Sequence, residues 1–339
     1  MHGYCTDDNA RGIIAMSHYY SQYGSPEALK LFKIYLSFTC HAQREDGTFC
    51  NFMGYNRCWL NPEPAHDVLG RSLWAFGTVI ANPPLPEMIP IVKDLFDKSV
   101  CHVISDSPRG KAYAIFGMRQ YLMQFPGASD VKRQMQIAAD NLVELYQNTC
   151  RSDWHWFENI LCYDNAALSH ALFEAYLTTG NQTYLETATK TSDFLLTVTF
   201  TGDHFSFIGC NGWYPYKAPR AGYDQQPLEA AGMVMMCRAA YQATDNPNYL
   251  KLQKKAFDWF LGENDLSLPL YDFRTKGCSD GLQKNGVNLN QGAESMLSFL
   301  LALLNIAENY NPSHILPLHS ESSAINISKK ADRQTQIKK

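Results

Sequence analysis

Several common signatures of binding and targeting are absent from this sequence of 339 residues. None of its 10 cysteines lies at the C-x-x-C spacing typical of structural zinc sites, and no Gly-rich phosphate loop of the Walker or dinucleotide type occurs. No stretch reaches the roughly 20 apolar residues that a membrane-spanning helix needs. The N-terminus is polar and carries no apolar signal segment. We therefore expect a reduced, cytoplasmic protein that needs no cofactor and no metal ion.

Strong charge of either sign is also missing. The 29 basic and 33 acidic residues give a net charge of −4, which indicates neither a nucleic-acid partner nor a membrane surface. With 45% hydrophobic residues, the chain is long enough to bury one large core or two ordinary ones. Aromatic residues make up 13% of the chain. They stack on sugar rings as well as filling cores, but core packing alone accounts for most of them.

Apolar residues recur three and four positions apart through most of the chain, which predicts helices. Clear examples run from 166 to 177, from 228 to 241 and from 296 to 306. About eleven segments of this kind occur, each within the usual range of helix lengths. Their predicted first residues are Asp8, Pro26, Asp67, Pro86, Ser107, Ser129, Asp164, Gln182, Asp224, Pro247 and Gln291.

The connections between these helices alternate in length. Short turns rich in Gly, Pro and Asn lead from odd helices to even ones, whereas mostly long loops, such as 41–65 and 201–223, lead from even helices to odd ones. Short turns of this kind produce antiparallel helix pairs. About six such pairs predict an all-α (α/α)6 toroid over residues 1–310, with an open solenoid as the alternative. One helix of the last pair is recognisable, so that pair is expected to be incomplete, and residues 311–339 have the composition of a disordered polar tail.

Six of the predicted helix starts carry clusters of Asp, Asn, Arg, Glu and aromatic residues, whereas the helices between them begin with plainer sequences. Such groups are common near helix starts, because the first turn has free N–H groups and a partial positive charge. If the plain helices form an outer ring, the six rich starts meet at one end of an inner ring, where we expect a functional site. The clusters are Cys5–Arg11, His66–Arg71, Asp106–Lys111, Tyr163–Asn165, Tyr223–Gln226 and Asn290–Glu294.

Two carboxyl groups are the candidate catalytic residues. Asp7 and Asp8 begin the first helix, and if one of them caps it, the other faces the cavity. Helix-terminal N–H groups favour the ionised form of such a carboxyl, which suits Asp8 as a general base. Glu158 lies among aromatic residues and would be desolvated with a raised pKa, as a general acid requires. The alternative for Glu158 is an ion pair with an arginine from a neighbouring loop.

Other polar and aromatic side chains are candidates for sugar binding. Tryptophans can stack on sugar rings, and carboxylates and amides can hold sugar hydroxyls, although core packing, capping and ion pairing offer structural explanations. The candidate set is Asp7, Asn9, Arg11, Asp67, Trp154, Trp156, Asp164, Asn165, Trp213, Tyr214, Asp224, Gln225, Gln291 and Glu294. The histidines are dispersed along the chain, so the sequence does not indicate a set of metal ligands.

The motifs around these residues resemble those of a known family. Gly3–Arg11, Tyr163–Ala166, Tyr223–Pro227 and Asn290–Ser295 look like bacterial toroid proteins of the six-hairpin glycosidase superfamily. The resemblance covers nearly all of residues 3–310. Such proteins are often labelled glycosyltransferases or are encoded beside β-mannoside phosphorylases. The resemblance therefore implies a carbohydrate substrate, with a glycosyltransferase or mannoside phosphorylase as pathway partner. A segment that should precede the first motif is expected to be missing here.

The resemblance implies an enzyme acting on a manno- or gluco-type oligosaccharide, most simply an inverting glycoside hydrolase. In that interpretation Glu158 is the acid, Asp8 is the base that activates water, and the two carboxyl groups lie roughly 6.5–9.5 Å apart. Two alternatives stay open. A sugar 2-epimerase or isomerase of the same architecture would use a pair of histidines. A non-catalytic carbohydrate-binding toroid would instead serve a glycosyltransferase partner.

Overall fold

The computed structural model describes residues 3–60, 65–103 and 107–308, and helices dominate them. The α-helices of this part of the chain are α1 (Thr6–Tyr23), α2 (Pro26–Ala42), α3 (His66–Ala81), α4 (Ile89–Ser99), α5 (Pro108–Gln124), α6 (Ser129–Thr149), α7 (Ala166–Thr179), α8 (Gln182–Thr199), α9 (Pro227–Thr244), α10 (Asn248–Asp258) and α11 (Ala293–Glu308). All eleven predicted helices are present, and each begins within three residues of its predicted start.

Short antiparallel strands lie within the long loops. The strand pairs are β1 (Tyr4–Cys5) with β2 (Phe52–Met53), β3 (Ile160–Leu161) with β4 (Tyr214–Pro215), and β5 (Gly281–Gln283) with β6 (Gly286–Asn288). In the first two pairs, Tyr4 is opposite Met53 and Leu161 is opposite Tyr214. These ribbons tie the loops together at the end of the molecule where the odd-numbered helices begin.

The odd-numbered helices form a closed inner ring. Each packs against the next, from α1 through α3, α5, α7 and α9 to α11, and α11 packs back against α1. Each even-numbered helix packs against the odd-numbered helix that precedes it. The contact between α11 and α1 distinguishes this arrangement from an open solenoid. The fold is therefore the predicted (α/α)6 toroid, and the described residues reach the first helix of its sixth pair.

Burial explains why the inner and outer helices differ in sequence. Every residue of the inner helix α3 from Val68 to Ile80 is buried, so this helix is apolar almost all round. The outer helix α2 buries only one stripe, with Ala28, Phe32 and Leu36 facing inward at intervals of four residues. The core therefore lies between the two rings and inside the inner one.

Glycines allow α3 and α5 to approach each other closely. Gly70 and Gly77 on α3 face Gly110 and Gly117 on α5. A Cβ atom added to Gly77 would lie 2.2 Å from the carbonyl oxygen of Gly117, and one added to Gly117 would lie 2.2 Å from that of Leu73. A side chain at either position would therefore force the two backbones apart.

Some of the sequence-based predictions concern residues outside the described part of the chain. The second helix of the sixth pair and the polar tail at 311–339 would both fall beyond Glu308, and Asp106 of the third cluster falls between 103 and 107. Among the described residues, no helix is both long enough and apolar enough to cross a membrane.

Candidate functional site at the mouth of the toroid

Polar contacts join the beginnings of four inner helices at one end of the ring. Arg11 of α1 donates to Glu294 of α11 at 2.8 Å, and Arg71 of α3 donates to Asp7 of α1 at 2.6 Å. The guanidinium of Arg71 also lies 3.8 Å from the ring centroid of Tyr113 on α5. The starts of α11, α1, α3 and α5 are therefore in direct contact.

Asp164 and Glu229 extend this network to α7 and α9. The Tyr113 hydroxyl donates to Oδ2 of Asp164 at 2.5 Å. The backbone N–H groups of Asp164 and Asn165 donate to the Glu229 carboxylate, and the side-chain amide of Asn165 donates to it at 3.0 Å. All six inner helices are thus linked through polar side chains at the end where they begin.

Three carboxylates share the guanidinium of Arg11. Its nitrogens lie 2.6 Å from Asp7, 2.9 Å from Asp8 and 2.8 Å from Glu294. The Arg11 side chain is 3% exposed, whereas those of Asp8 and Glu294 are 26% and 43% exposed. Asp8 and Glu294 therefore open to solvent above a buried arginine. We call Asp7, Asp8, Arg11 and Glu294 the mouth cluster.

The surroundings of Asp7 and Asp8 shift their pKa values in opposite directions. Burial alone would raise the pKa of Asp7, but Arg11 and Arg71 outweigh it and hold that pKa below its usual value. Burial also raises the pKa of Asp8. Arg11 lowers it, but the negative charges of Asp7 and Glu294 add to the effect of burial and keep the pKa above its usual value.

The surroundings of Asp8 differ from those that the sequence predicts. Neither aspartate caps α1, because Cys5 occupies the cap position and its side chain makes no capping hydrogen bond. The sequence predicts that helix N–H groups keep Asp8 ionised, but burial beside two other carboxylates has the larger effect on its pKa. A raised pKa beside a lowered one is the pattern of a proton donor next to a permanent negative charge.

A narrow cavity enters the ring beside the mouth cluster. Arg11 and Arg71 line it together with Asp164, His170 and apolar side chains such as that of Trp74. The space open to the centre of a water molecule is about 10 Å³, which is enough for about one water. The cavity therefore admits a single water molecule or hydroxyl group but not a whole sugar ring.

Asp164 is held with one carboxylate oxygen unpaired. Its backbone has a φ of 43°, in the left-handed region that aspartate tolerates better than most residues. Oδ2 accepts from Tyr113, whereas Oδ1 has no hydrogen-bond partner among the described residues. A Cβ atom on Gly232 would lie 2.6 Å from Oδ1, so glycine leaves room for this oxygen. Burial raises the pKa of Asp164, although Arg71 opposes the shift.

Glu229 positions the turn that carries Asp164. The residue is 5% exposed, and its carboxylate accepts from the N–H groups of Asp164 and Asn165. Burial, together with the negative charge of Asp164, raises the pKa of Glu229 to about 8. Glu229 is therefore a positioning residue behind Asp164.

Glu158 belongs to a second polar network. It accepts from Arg109 at 2.6 Å, and Arg109 also donates to the carbonyl oxygen of Tyr163 at 2.7 Å. The Tyr163 hydroxyl donates to Asp67 at 2.6 Å, and the Ser107 hydroxyl donates to the same carboxylate. The structure thus contains the ion pair that was the alternative explanation for Glu158, with an arginine of α5. Glu158 is not among the residues that line the cavity.

Two of the candidate tryptophans belong to the core. Trp154 and Trp156 are 2% and 0% exposed, and Trp154 packs edge-on against Phe194 and Tyr214 with ring centroids 5.3 Å apart. Rings buried in this way cannot stack on a sugar, so we remove both from the sugar-binding set. Trp213 is partly exposed and stays a candidate, whereas the partly exposed Tyr214 packs over Trp154.

Gln225 and Asn165, both predicted to bind substrate, have structural roles. Gln225 is fully buried, where its side-chain oxygen accepts from the Trp259 indole at 3.1 Å and its amide donates to Asp265 at 2.6 Å. Asn165 is also fully buried and donates to Glu229 at 3.0 Å. Their polar groups are engaged within the protein, so we remove both from the sugar-binding set.

Asn9, Asp224 and Gln291 lie at or near the surface. The Asn9 amide donates to the carbonyl oxygen of Cys5 at 2.7 Å, and Gln291 accepts from the Thr275 hydroxyl at 3.1 Å. Asp224 is partly exposed. These three residues do not line the cavity, and their binding roles stay predictions.

The three carboxylates of the mouth cluster have oxygen atoms within 4.8 Å of one another, as a metal site would require. Arg11 and Arg71 already lie 2.6–2.9 Å from these carboxylates and offset two of their three negative charges, which weakens the attraction of the cluster for a cation. Of the described histidines, His170 alone lines the cavity. Its Nε2 lies 3.2 Å from the Glu174 carboxylate, and its ring centroid lies 4.1 Å from that of Phe116.

Several residues that organise this site had no role assigned from the sequence. Arg71 ends the polar cluster at the start of α3, and Tyr113 and Glu229 lie within apolar helical runs shortly after the polar starts of α5 and α9. A polar or charged residue inside such a run is itself a signal, because unpaired charges are rarely buried. The role of Gly232 has no such signal, since it depends on Asp164 being adjacent in space.

Comparison with known proteins identifies the fold. No protein-family model and no curated protein sequence matches this chain. A solved structure of a sugar epimerase from a ruminal bacterium matches with a TM-score of 0.65 at 11% identity, covering 88% of this chain and 87% of that one. The structure of a cellobiose 2-epimerase from Bacillus thermoamylovorans matches with a TM-score of 0.65 at 12% identity, covering 88% of this chain and 87% of that one. The structure of a GH76 α-mannanase from Bacteroides thetaiotaomicron matches with a TM-score of 0.62 at 11% identity, covering 91% of this chain and 87% of that one. The chain shares the (α/α)6 toroid fold of these structures, which is the fold that the motif resemblance implies.

Proposed function

We propose that this protein binds an oligosaccharide at the mouth of the toroid and hydrolyses one of its glycosidic bonds. The mouth cluster carries the proposal, because it places two partly exposed carboxylates, Asp8 and Glu294, above a buried arginine where the inner helices begin. Carboxylates and arginine hold sugar hydroxyls, and paired carboxyl groups cleave glycosidic bonds. The similar structures named above act on cellobiose or mannan or are sugar epimerases, which supports a manno- or gluco-type substrate.

Asp8 is the proposed general acid, rather than the base predicted from the sequence. Its raised pKa gives it a larger protonated fraction than an ordinary aspartate at the same pH, and its exposure gives it access to the glycosidic oxygen. Glu294 is the proposed second carboxyl group. Its oxygen lies within 4.8 Å of one from Asp8, which is shorter than the roughly 6.5–9.5 Å of inverting glycosidases and favours a retaining pair.

The proposed reaction has two steps. Protonated Asp8 gives its proton to the leaving oxygen while the Glu294 carboxylate attacks the anomeric carbon, which breaks the glycosidic bond and forms a glycosyl ester. Asp8 then takes a proton from water, whose oxygen attacks the same carbon and releases Glu294. The product keeps the anomeric configuration of the substrate. The inverting pair of Asp8 and Glu158 predicted from the sequence would give the opposite anomer.

The first test measures sugar release from manno- and gluco-oligosaccharides, with and without phosphate. We expect Asp8→Asn and Glu294→Gln to lower kcat by about 10²–10⁴-fold, as for loss of a general acid or a nucleophile. Asp130→Asn is the matched control, because Asp130 is an exposed carboxylate at the start of the outer helix α6. It should leave kcat unchanged.

The anomer of the first product, followed by NMR, tests the choice of the second carboxyl group. Retention together with the loss of activity in Glu294→Gln supports the pair Asp8 and Glu294. Inversion, with activity lost in Glu158→Gln, would return the acid role to Glu158. Sugar binding without release from any substrate would contradict hydrolysis.

Sugar 2-epimerisation or isomerisation is the second candidate, since two of the similar structures named above are epimerases. That chemistry predicts paired histidines in the cavity, whereas His170 is the one described histidine that lines it. Incubation in D2O separates the two reactions. Deuterium at C2 of the reducing sugar, without release of a monosaccharide, would favour the epimerase.

A non-catalytic carbohydrate-binding toroid is the third candidate. It predicts sugar binding without turnover in the wild type, and binding that survives Asp8→Asn. A glycosyltransferase or mannoside phosphorylase partner and a cytoplasmic location stay predictions of the sequence.

A further inference from the structure

The cavity beside the mouth cluster contains polar atoms without partners. Oδ1 of Asp164, Oγ of Ser298 and Nε of Arg11 are buried and make no hydrogen bond within the described chain. All three residues line the cavity, and they are 3%, 1% and 2% exposed. Leaving such atoms unpaired is costly, so they indicate an occupant that donates and accepts hydrogen bonds.

Asp164 is the residue of these three whose position is fixed by the most contacts described above. Tyr113 holds Oδ2 at 2.5 Å, and Glu229 accepts from the backbone N–H of Asp164. A Cβ atom on Gly232 would lie 2.6 Å from Oδ1, so the absence of a side chain there gives this unpaired oxygen its room. Three neighbours therefore fix this carboxylate while its second oxygen stays available to an O–H donor.

We propose that the cavity is a specificity subsite for the exocyclic hydroxymethyl group of a terminal hexose, whose O–H donates to Oδ1 of Asp164. This inference rests on the proposed function, since it needs a sugar ring at the mouth. The space of about 10 Å³ admits one oxygen atom but no ring. A hydroxymethyl group is the one hydroxyl of a hexose that projects beyond the ring on a carbon arm. Trp74, Phe116 and Leu301 give the cavity apolar walls suited to that carbon.

The test compares the affinities of 6-hydroxy and 6-deoxy sugars by calorimetry, which needs no turnover. The probes are the methyl glycosides of mannose and glucose and their 6-deoxy counterparts. We expect the wild type to bind the 6-hydroxy sugar about 10- to 100-fold more tightly, as for one hydrogen bond to a charged acceptor. In Asp164→Asn, where the acceptor is neutral, the ratio should fall to about 2- to 10-fold. Asp130→Asn, which changes an exposed carboxylate of α6 that does not line the cavity, should leave the ratio unchanged.

The outcomes separate this inference from the proposed function. A ratio near one in the wild type would overturn the subsite and assign the cavity to a permanently bound water. An unchanged ratio in Asp164→Asn would remove Asp164 as the acceptor. If Asp164→Asn does not fold, Gly232→Ala, which keeps the carboxylate but crowds Oδ1, should lower the ratio instead. Absence of binding by every sugar, including longer oligosaccharides, would contradict the proposed function and this inference together.

Discussion

Asp164 and Glu229 show how the fold treats two buried carboxyl groups differently. Arg71 stands near Asp164 and opposes the rise in its pKa, whereas the Glu229 carboxylate is held by the N–H groups of Asp164 and Asn165. Neutral donors compensate the burial of a negative charge less well than an arginine does. Burial and the negative charge of Asp164 outweigh these donors and raise the pKa of Glu229 to about 8.

We expect Glu229→Gln to flatten the pH dependence of stability. The pKa of about 8 in the folded protein lies above the usual 4.5, so the folded state binds this proton more tightly than the unfolded chain. The contribution is fully present below about pH 4.5 and is lost as the pH rises to about 8. In the wild type, the free energy of unfolding should therefore fall by roughly 2–5 kcal/mol over this pH range because of Glu229, and the variant should lack this fall.

Urea unfolding at pH 5 and pH 8 measures the slope of the free energy of unfolding against pH. Glu186→Gln, at an exposed position on α8, is the control and should keep the wild-type slope. The amide that Glu229→Gln introduces cannot accept hydrogen bonds through its nitrogen, so the absolute stability falls as well. Only the slope is diagnostic, and a slope equal to that of the wild type would contradict the raised pKa.

At the scale of elements, the contact between α3 and α5 depends on the absence of side chains at Gly77 and Gly117. We expect Gly77→Ala and Gly117→Ala each to lower the free energy of unfolding by about 1–3 kcal/mol, since the backbones must separate. Alanine otherwise stabilises a helix interior by about 1 kcal/mol, so the predicted sign is opposite to that of helix propensity.

Thermal and urea unfolding of both variants tests this contact, and Gly127→Ala is the control. A Cβ atom on Gly127 would meet nothing within 4 Å, and this control should stay within about 0.5 kcal/mol of the wild type. Stabilisation by Gly77→Ala would show that the two helices are free to move apart.

Which elements exist could be predicted from the sequence, but which polar residues form the site could be predicted only in part. Periodicity and turns gave the eleven helices and the toroid, because both signals are local. The polar starts pointed to Asp8 and Glu294, since a cluster at a helix start is also local. The sequence offered an ion pair as the alternative for Glu158, but it did not predict Arg109 as the partner or the contact of Gly232 with Asp164. Each of these depends on residues about 50 or more positions away.

At the scale of the whole molecule, Arg11 joins the two helices that close the ring. Arg11→Gln would leave Asp7, Asp8 and Glu294 without their shared cation. We expect a loss of about 3 kcal/mol in the free energy of unfolding, as for breaking a buried ion pair from one side. Arg133→Gln, which removes an exposed ion pair on α6, is the control and should cost less than about 0.5 kcal/mol. Equal losses in the two variants, measured by urea unfolding, would contradict a role for Arg11 in closure.

The contact between Arg11 and Glu294 also sets when the site comes into existence. The two residues are 283 positions apart, so a ribosome adding about 5–20 residues per second makes them roughly 15–55 s apart. Until α11 leaves the ribosome, the nascent chain holds Arg11 and its aspartates without the third carboxylate. The earlier helix pairs contact their sequence neighbours and can assemble during translation, but the mouth cluster forms only when the first and last helices of the ring meet. The proposed activity is therefore absent from every translation intermediate that lacks α11, and it begins with ring closure.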